Sequence, residues 1–128
     1  MEEEWKDIKG YEGRYQVSNL GNVKSLEHYH KCVFWGKERL RHRKEQILKQ
    51  WKRSSYLLVD LWKEDKRDVR SVHILAYEAF VGKISKGLYT HHIDENKFNN
   101  SVNNLRCMTA LEHNILHLSG RRRIKNAS

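Results

Sequence analysis

The run His91-His92-Ile93-Asp94-Glu95-Asn96-Lys97-Phe98-Asn99-Asn100, continued by Asn104-Leu105 and then by His113 and His117, decides how this chain is read. It sets four imidazoles and the Asn104 carboxamide within 27 residues. Imidazole is a good ligand for first-row metal ions and the natural general base near neutral pH. Hydrolysis of a phosphodiester calls for both. The surrounding residues read as local structure. Leu88–Ile93 has the composition of a strand, Asp94–Asn100 is rich in turn formers, and Leu105–Met108 suits a return strand. Thr109-Ala110-Leu111-Glu112 then makes a capping box, in which hydroxyl and carboxylate satisfy orphan N–H groups and fix a helix start at Thr109. His113 and His117 are four residues apart, so they share a helix face, as two ligands of one ion would. Successive side chains of a strand point to opposite sides, which separates His91 from His92. One can bind metal while the other faces substrate.

Working outward, the upstream segments are strand-rich. Tyr56–Trp62 is apolar and β-forming, Lys63–Asp68 is a charged turn, and Val69–Val72 can pair back. A helix is expected over Val72–Val81, with Val72, Leu75, Ala76, Ala79 and Phe80 on one face and Gly82 as the stop. His73, at its start, reads as a helix-surface or core histidine. Near the N-terminus, Tyr15–Val17 and Val23–Ser25 read as strands joined by the turn residues Ser18–Asn22. Trp5, Tyr11 and Tyr15 read as core aromatics, and Gly10 and Gly13 place Tyr11 in a loop. Residues 27–54 are ambiguous. Leu40, Ile47, Leu48 and Trp51 have helical spacing, but short strands also fit Gln46–Lys49. His28, His30 and His42 lie there without a repeated ligand spacing and read as surface residues.

Size and charge bound the class of function. A chain of 128 residues, 38% apolar and without proline, supports a modest core. No run of 18 apolar residues suggests a membrane span, and the acidic start Glu2-Glu3-Glu4 is not a secretory signal. Cys32 and Cys107 are isolated: they do not make a zinc knuckle, nothing supports a disulfide between them, and free thiols in a cytosolic protein are the plain reading. The net charge of +9 is unevenly spread. Residues 27–54 hold nine Lys and Arg against three Glu, and the last ten residues hold four cations and no anion. The histidine segment itself is not basic. Beside it, these basic stretches read as grips on a polyanion.

The residues His91-His92-Ile93-Asp94, Asn99-Asn100, Asn104-Leu105 and Glu112-His113-Asn114 with His117 resemble the His-Asn-His (HNH) nuclease family. Its catalytic unit is the ββα-metal finger. The stretch from Trp5 to Val23 also resembles a motif found ahead of such nucleases in phage and intron-encoded homing endonucleases. The resemblance implies an α+β fold: short N-terminal strands, then a C-terminal finger. It implies a DNA-contact region over 1–54, a nuclease domain over 55–120 with its finger at about 88–120, and a basic tail over 121–128. His92 would be the general base and Asn104 the brace that orients it. His91, His113 and His117 would hold one divalent ion, with Zn2+, Ni2+, Mg2+ and Mn2+ as candidates. Three imidazoles suit a transition ion, whereas homing relatives often ligate magnesium through aspartate and asparagine. Arg39, Arg41, Arg43, Lys44, Lys49, Lys52, Arg53, Arg121, Arg122 and Arg123 would contact DNA phosphates.

The function expected is therefore metal-dependent hydrolysis of DNA by a monomer that nicks or a homodimer that breaks both strands. A phage-encoded member would act in the cytoplasm of its bacterial host. Homing relatives commonly carry a helix-turn-helix reader after the finger. The residues following His117 leave no room for one, so modest sequence specificity is expected. The competing reading is a zinc-stapled DNA-binding module without catalysis.

Overall fold

Alternation of apolar and polar residues turns most of this chain into short antiparallel strands. The computed structural model describes residues 2–112, 114 and 115. In chain order the strands are β1 Trp5–Asp7, β2 Tyr15–Ser18, β3 Val23–Ser25, β4 His28–Phe34, β5 Lys37–Arg43, β6 Gln46–Ile47, β7 Trp51–Arg53, β8 Tyr56–Lys63 and β9 Lys66–Ser71. Helix α1, Val72–Phe80, follows, then β10 Leu88–His92, a 3-10 turn Val102–Asn104 and β11 Leu105–Thr109. This is an α+β architecture.

Four sheets result. β1-β2-β3-β6 and β7-β8-β9 are antiparallel sheets of four and three strands, β4-β5 is a ribbon of its own, and β10-β11 is the hairpin of the histidine segment. The segment 27–54, open between helix and strand, is strand. Its basic residues at two-residue spacing suit a solvated ribbon rather than a helix with a buried stripe. The charged turn at 63–68 is shorter than expected: Glu64 and Asp65 alone turn the chain, both at positive φ, and Lys66–Asp68 belong to β9.

One core joins the two halves of the chain. Ile8, Tyr15, Val17 and Val23 of the N-terminal segment pack with Val59, Leu61, Val72, Leu75, Ala76 and Leu105. Val17, Val23, Val59, Leu61, Val72 and Ala76 are wholly buried. The expected apolar face of α1 supplies Val72, Leu75 and Ala76, with Ala79 and Phe80 packed at its margin. Polar atoms stitch the seam. The Tyr15 hydroxyl accepts the Trp62 N–H at 3.0 Å, and the Tyr11 hydroxyl donates to Asp68 at 2.9 Å. Of the aromatics expected in the core, Tyr15 is buried, Tyr11 is half-buried against it, and Trp5 lies outside the core cluster, half-buried under Lys24. Cys32 and Cys107 carry free thiols. No described helix is long and apolar enough to cross a membrane.

The turn between β2 and β3 is densely bonded. The Ser18 hydroxyl accepts from the N–H groups of Leu20 and Asn22. The Asn19 side chain accepts from the Glu4 N–H and donates to the Glu2 carbonyl, fastening the N-terminus. The Asn19 carbonyl accepts the Val102 N–H at 2.8 Å, which fastens the turn to the loop between β10 and β11. Gly21 sits here at φ +88°, with Asn100 filling the space that a side chain would need.

Candidate active site

The strand pairing sets the geometry of the two adjacent histidines. β10 and β11 are antiparallel with His91 opposite Arg106 and His92 opposite Leu105. His92 points inward beside core residue Leu105 and keeps 4% exposure, whereas His91 is half-buried on the other side. The two side chains lie on opposite sides of the strand, as alternation predicts.

Three groups surround the His92 ring. Its Nε2 lies 2.8 Å from the Asn100 side-chain oxygen, in a bond between two buried residues. The His73 ring is 5.3 Å away, centroid to centroid, and the Tyr56 ring is 6.5 Å away. Tyr56 in turn stacks on His73 at 5.2 Å. An amide oxygen only accepts, so Nε2 carries the proton in this arrangement and Nδ1 keeps the lone pair. With the Asn100 oxygen as acceptor, the nitrogen left to take a proton is Nδ1.

The loop that follows is braced from its centre. The Asn104 amide donates to the Asp94 carboxylate at 2.8 Å and to the Asn99 carbonyl at 2.9 Å, while its side-chain oxygen accepts the Asp94 N–H at 2.9 Å. Its backbone carbonyl accepts the Ile93 N–H at 2.8 Å. One carboxamide thus ties both ends of the loop that starts directly after His92. The Asn99 amide and the Asn96 N–H also donate to Asp94. Accepting these bonds, first from Asn99, then Asn96 and Asn104, holds the Asp94 carboxyl below its ordinary pKa.

The remaining expected site residues divide three ways. Arg39, Arg41 and Arg43 are exposed on β5, with Lys44 just beyond it. Lys49 precedes β7, which carries Lys52 and Arg53. Lys52 extends to the Phe98 ring, at 4.6 Å from its centroid, and so stands at the rim of the histidine loop. His113, His117, Arg121, Arg122 and Arg123 lie outside the described residues. Residues 110–112 are helical and the Glu112 N–H donates to the Thr109 hydroxyl at 3.1 Å, the first half of the expected capping box. Thr109 itself closes β11. Among the described residues no three His, Cys, Asp or Glu side chains converge to hold a metal, and His91 is the expected ligand that falls within them.

The sequence reading missed His73, Asn100, Tyr56 and Lys97 as neighbours of the site. Lys97 stands over the Tyr56 ring at 4.9 Å. None of them has a local spacing signal, because each reaches His92 or its wall through a tertiary contact. His73, left between helix surface and core, is buried at 8% exposure. Burial, and then the neighbouring His92, lower its pKa from 6.5 to about 4. His73 is therefore neutral when folded but protonates near pH 6.5 when unfolded. The unfolded state binds the extra proton between these values, so stability falls as pH drops from about 6.5 toward 4. His73→Leu removes that proton linkage and the buried Nδ1 that lacks a hydrogen-bond partner among the described residues. Melting curves at pH 7 and pH 5 should show a smaller loss of stability for the variant than for the parent, by on the order of 2 kcal/mol. Equal losses in the two proteins would refute the burial of a neutral His73.

Comparison with known proteins agrees with this geometry. The NUMOD4 motif model matches residues 3–62 and the HNH endonuclease model matches residues 70–115. The DNA endonuclease I-HmuI of Bacillus phage SP01 is 41% identical over 106 residues, which cover 83% of this chain and 52% of that protein. The SPbeta prophage-derived YosQ of Bacillus subtilis is 48% identical over 46 residues, 36% of this chain and 26% of that protein. A solved structure describing DNA binding and cleavage by the HNH homing endonuclease I-HmuI superposes with a TM-score of 0.69 at 37% identity, covering 92% of this chain and 59% of that one. The chain thus spans about half the length of that phage endonuclease. A NUMOD4 motif joined to an HNH domain, on a fold shared with I-HmuI, places the chain in the HNH endonuclease family.

Proposed function

We propose that this chain is a metal-dependent DNA endonuclease of the phage homing type, with His92 as its general base. The observation that carries the reading is the buried His92–Asn100 bond, which leaves Nδ1 as the basic nitrogen. Neutral His92 takes a proton from water. The water oxygen forms a bond to phosphorus, and the bond from phosphorus to the 3′ oxygen breaks with its electron pair leaving on that oxygen. Asn104 serves as brace: it holds the loop after His92 at both ends. His73 and Tyr56 wall the ring so that it keeps one orientation.

The base alone is worth about 10²–10⁴-fold, too little for a reaction this slow. The remainder is assigned to a divalent ion held by His91 with His113 and His117. When bound, such an ion stabilises the charge that grows on the phosphate and departing oxygens. Imidazole donors suit Zn2+ or Ni2+, while the relatives' family generally uses divalent ions without fixing which. EDTA should abolish cleavage of a plasmid and added Mn2+, Mg2+, Ni2+ or Zn2+ should restore it, with the melting temperature falling only slightly on chelation. Unfolding on chelation, with no cutting under any ion, would instead mark a zinc-stapled DNA-binding module.

The substrate partner in this reading is DNA, gripped through phosphates by Arg39, Arg41, Arg43, Lys44, Lys49, Lys52 and Arg53. Each phosphate neutralised should contribute about −0.9 to the slope of log affinity against log salt. Replacing Arg39, Arg41 and Arg43 together with glutamine should make that slope shallower by two to three. A slope unchanged by the triple substitution would remove β5 from the interface.

A further inference from the structure

The ribbon β4-β5 is out of proportion to anything the fold needs. It forms a two-stranded sheet by itself, and all seven residues of β5 are exposed. Isolated ribbons are marginal in water, so one this long calls for an external partner. Its register sorts the side chains. Lys37, Arg39, Arg41 and Arg43 fall at two-residue spacing on one face, opposite Phe34, Cys32, His30 and His28. Tyr29, Val33 and Leu40 occupy the other face and are all well exposed.

The tip is the unusual part. Phe34 and Trp35 are 59% and 89% exposed, and their rings meet edge to face at 6.1 Å. Trp35 holds φ +55° and Gly36 φ +72°. Gly36 takes that conformation freely, as glycine, asparagine and aspartate do in tight hairpin turns. A bulky tryptophan at positive φ is strained. Among the described residues the strain is repaid by no buried contact of the indole. Large aromatics held out of the core on a basic stalk have the form of a wedge for a stacked, anionic polymer.

We propose that the β4-β5 ribbon lies along a groove of duplex DNA beside the cleaved bond and inserts Trp35, backed by Phe34, at a base-pair step from the minor-groove side. The inference rests on the reading of the chain as a DNA endonuclease. Apolar side chains inserted this way unstack a step and bend the duplex, and the energy is recovered through phosphate contacts along the bent path. The four cations of β5 supply such contacts along the whole stalk. An anionic membrane would also attract an apolar tip with cations, but charge distributed along seven residues suits a groove better than a surface touched by the tip. The placement agrees. The base of the ribbon (His28, His30, Arg43) and the far end of β8 (Trp62, Lys63) line one cleft of about 700 Å³. The near end of β8, Tyr56, stands beside His92. Six residues of strand span roughly 20 Å, or about six base pairs. The base of the ribbon therefore stands several base pairs from the cut, and the wedge lies at the other end of the seven-residue strands β4 and β5.

The test uses the full chain with relaxed plasmid in EDTA, where no cutting occurs. The plasmid is closed by a topoisomerase that needs no metal, and its linking number is read after deproteinisation. The parent should shift the topoisomer distribution. Phe34→Thr/Trp35→Asn should bind with affinity reduced by less than about tenfold and lose the shift. Because asparagine tolerates positive φ, this variant should melt no lower than the parent. Binding by the parent without a topoisomer shift, or an equal shift by the variant, overturns the wedge while leaving the nuclease reading intact. Failure of the parent both to bind plasmid and to nick it with added metal overturns both. Binding to phosphatidylserine vesicles that the variant loses, with the topoisomer shift kept, would assign the tip to a membrane instead.

Discussion

Replacing His92 with alanine abolishes plasmid cleavage while DNA binding persists. The expected loss is at least the 10²–10⁴-fold typical of a general base. Alanine also strands the Asn100 oxygen, whose bond to Nε2 is buried. An unsatisfied buried acceptor costs about 1–3 kcal/mol, so a lower melting temperature accompanies this variant. His92→Gln keeps much of the volume and can donate to Asn100 but offers no basic nitrogen. It should melt close to the parent and be as inactive as the alanine variant. Cutting at the parental rate by either variant would remove His92 from the mechanism.

Gly21→Ala should both destabilise the protein and slow cleavage, and Gly10→Ala supplies the control. Both glycines hold φ +88°. A methyl at Gly10 meets nothing within 4 Å, whereas at Gly21 it would lie 2.8 Å from the Asn100 Cβ and 3.0 Å from the Asn100 carbonyl carbon and oxygen. The shared backbone cost is about 1–2 kcal/mol. The second cost falls on Gly21 alone, because Asn100 backbone must shift rather than a flexible side-chain end. Asn100 also holds His92, so the shift reaches the base. Gly10→Ala should lower the melting temperature by about 3–12 °C and keep the parental rate. Gly21→Ala should lose about twice as much stability and at least tenfold in kcat, with DNA affinity little changed. Identical behaviour of the two variants would mean that the turn of the N-terminal motif does not govern the position of Asn100.

What could be read from the sequence follows from where the information lies. Tyr15–Val17 and α1 were legible because one buried face leaves a period of two or 3.6 in the residues themselves, and Tyr56–Trp62 because its residues are apolar and β-forming. The strand-loop-strand of the finger was legible from Leu88 and Leu105 flanking a loop of Asn and Asp. The basic ribbon was not. Leu40, Ile47, Leu48 and Trp51 matched helical spacing, yet Leu40 and Ile47 are exposed and report no buried stripe. The usable signal there was the charge alternation from Lys37 to Arg43. At the site, Asn104 was recognisable by its place in the motif, and its bonds to Asp94 and Asn99 are local. His73 and Gly21 act across 19 and 79 residues of chain, and no spacing rule reaches that far.

These contacts also change what the N-terminal motif contributes. Its strands β1–β3 pack into the same core as the HNH segment, and its turn bears on Asn100. The motif is thereby part of the frame that holds the site, beside any contact that it makes with DNA.

Incubation of the purified chain with supercoiled plasmid and each of Mg2+, Mn2+, Ni2+ and Zn2+, beside His92→Gln, tests the central claim most directly. The parent should give open circles or linear product with at least one ion, and the variant none. Plasmid left supercoiled by the parent under every ion, or cut equally by both proteins, would contradict it.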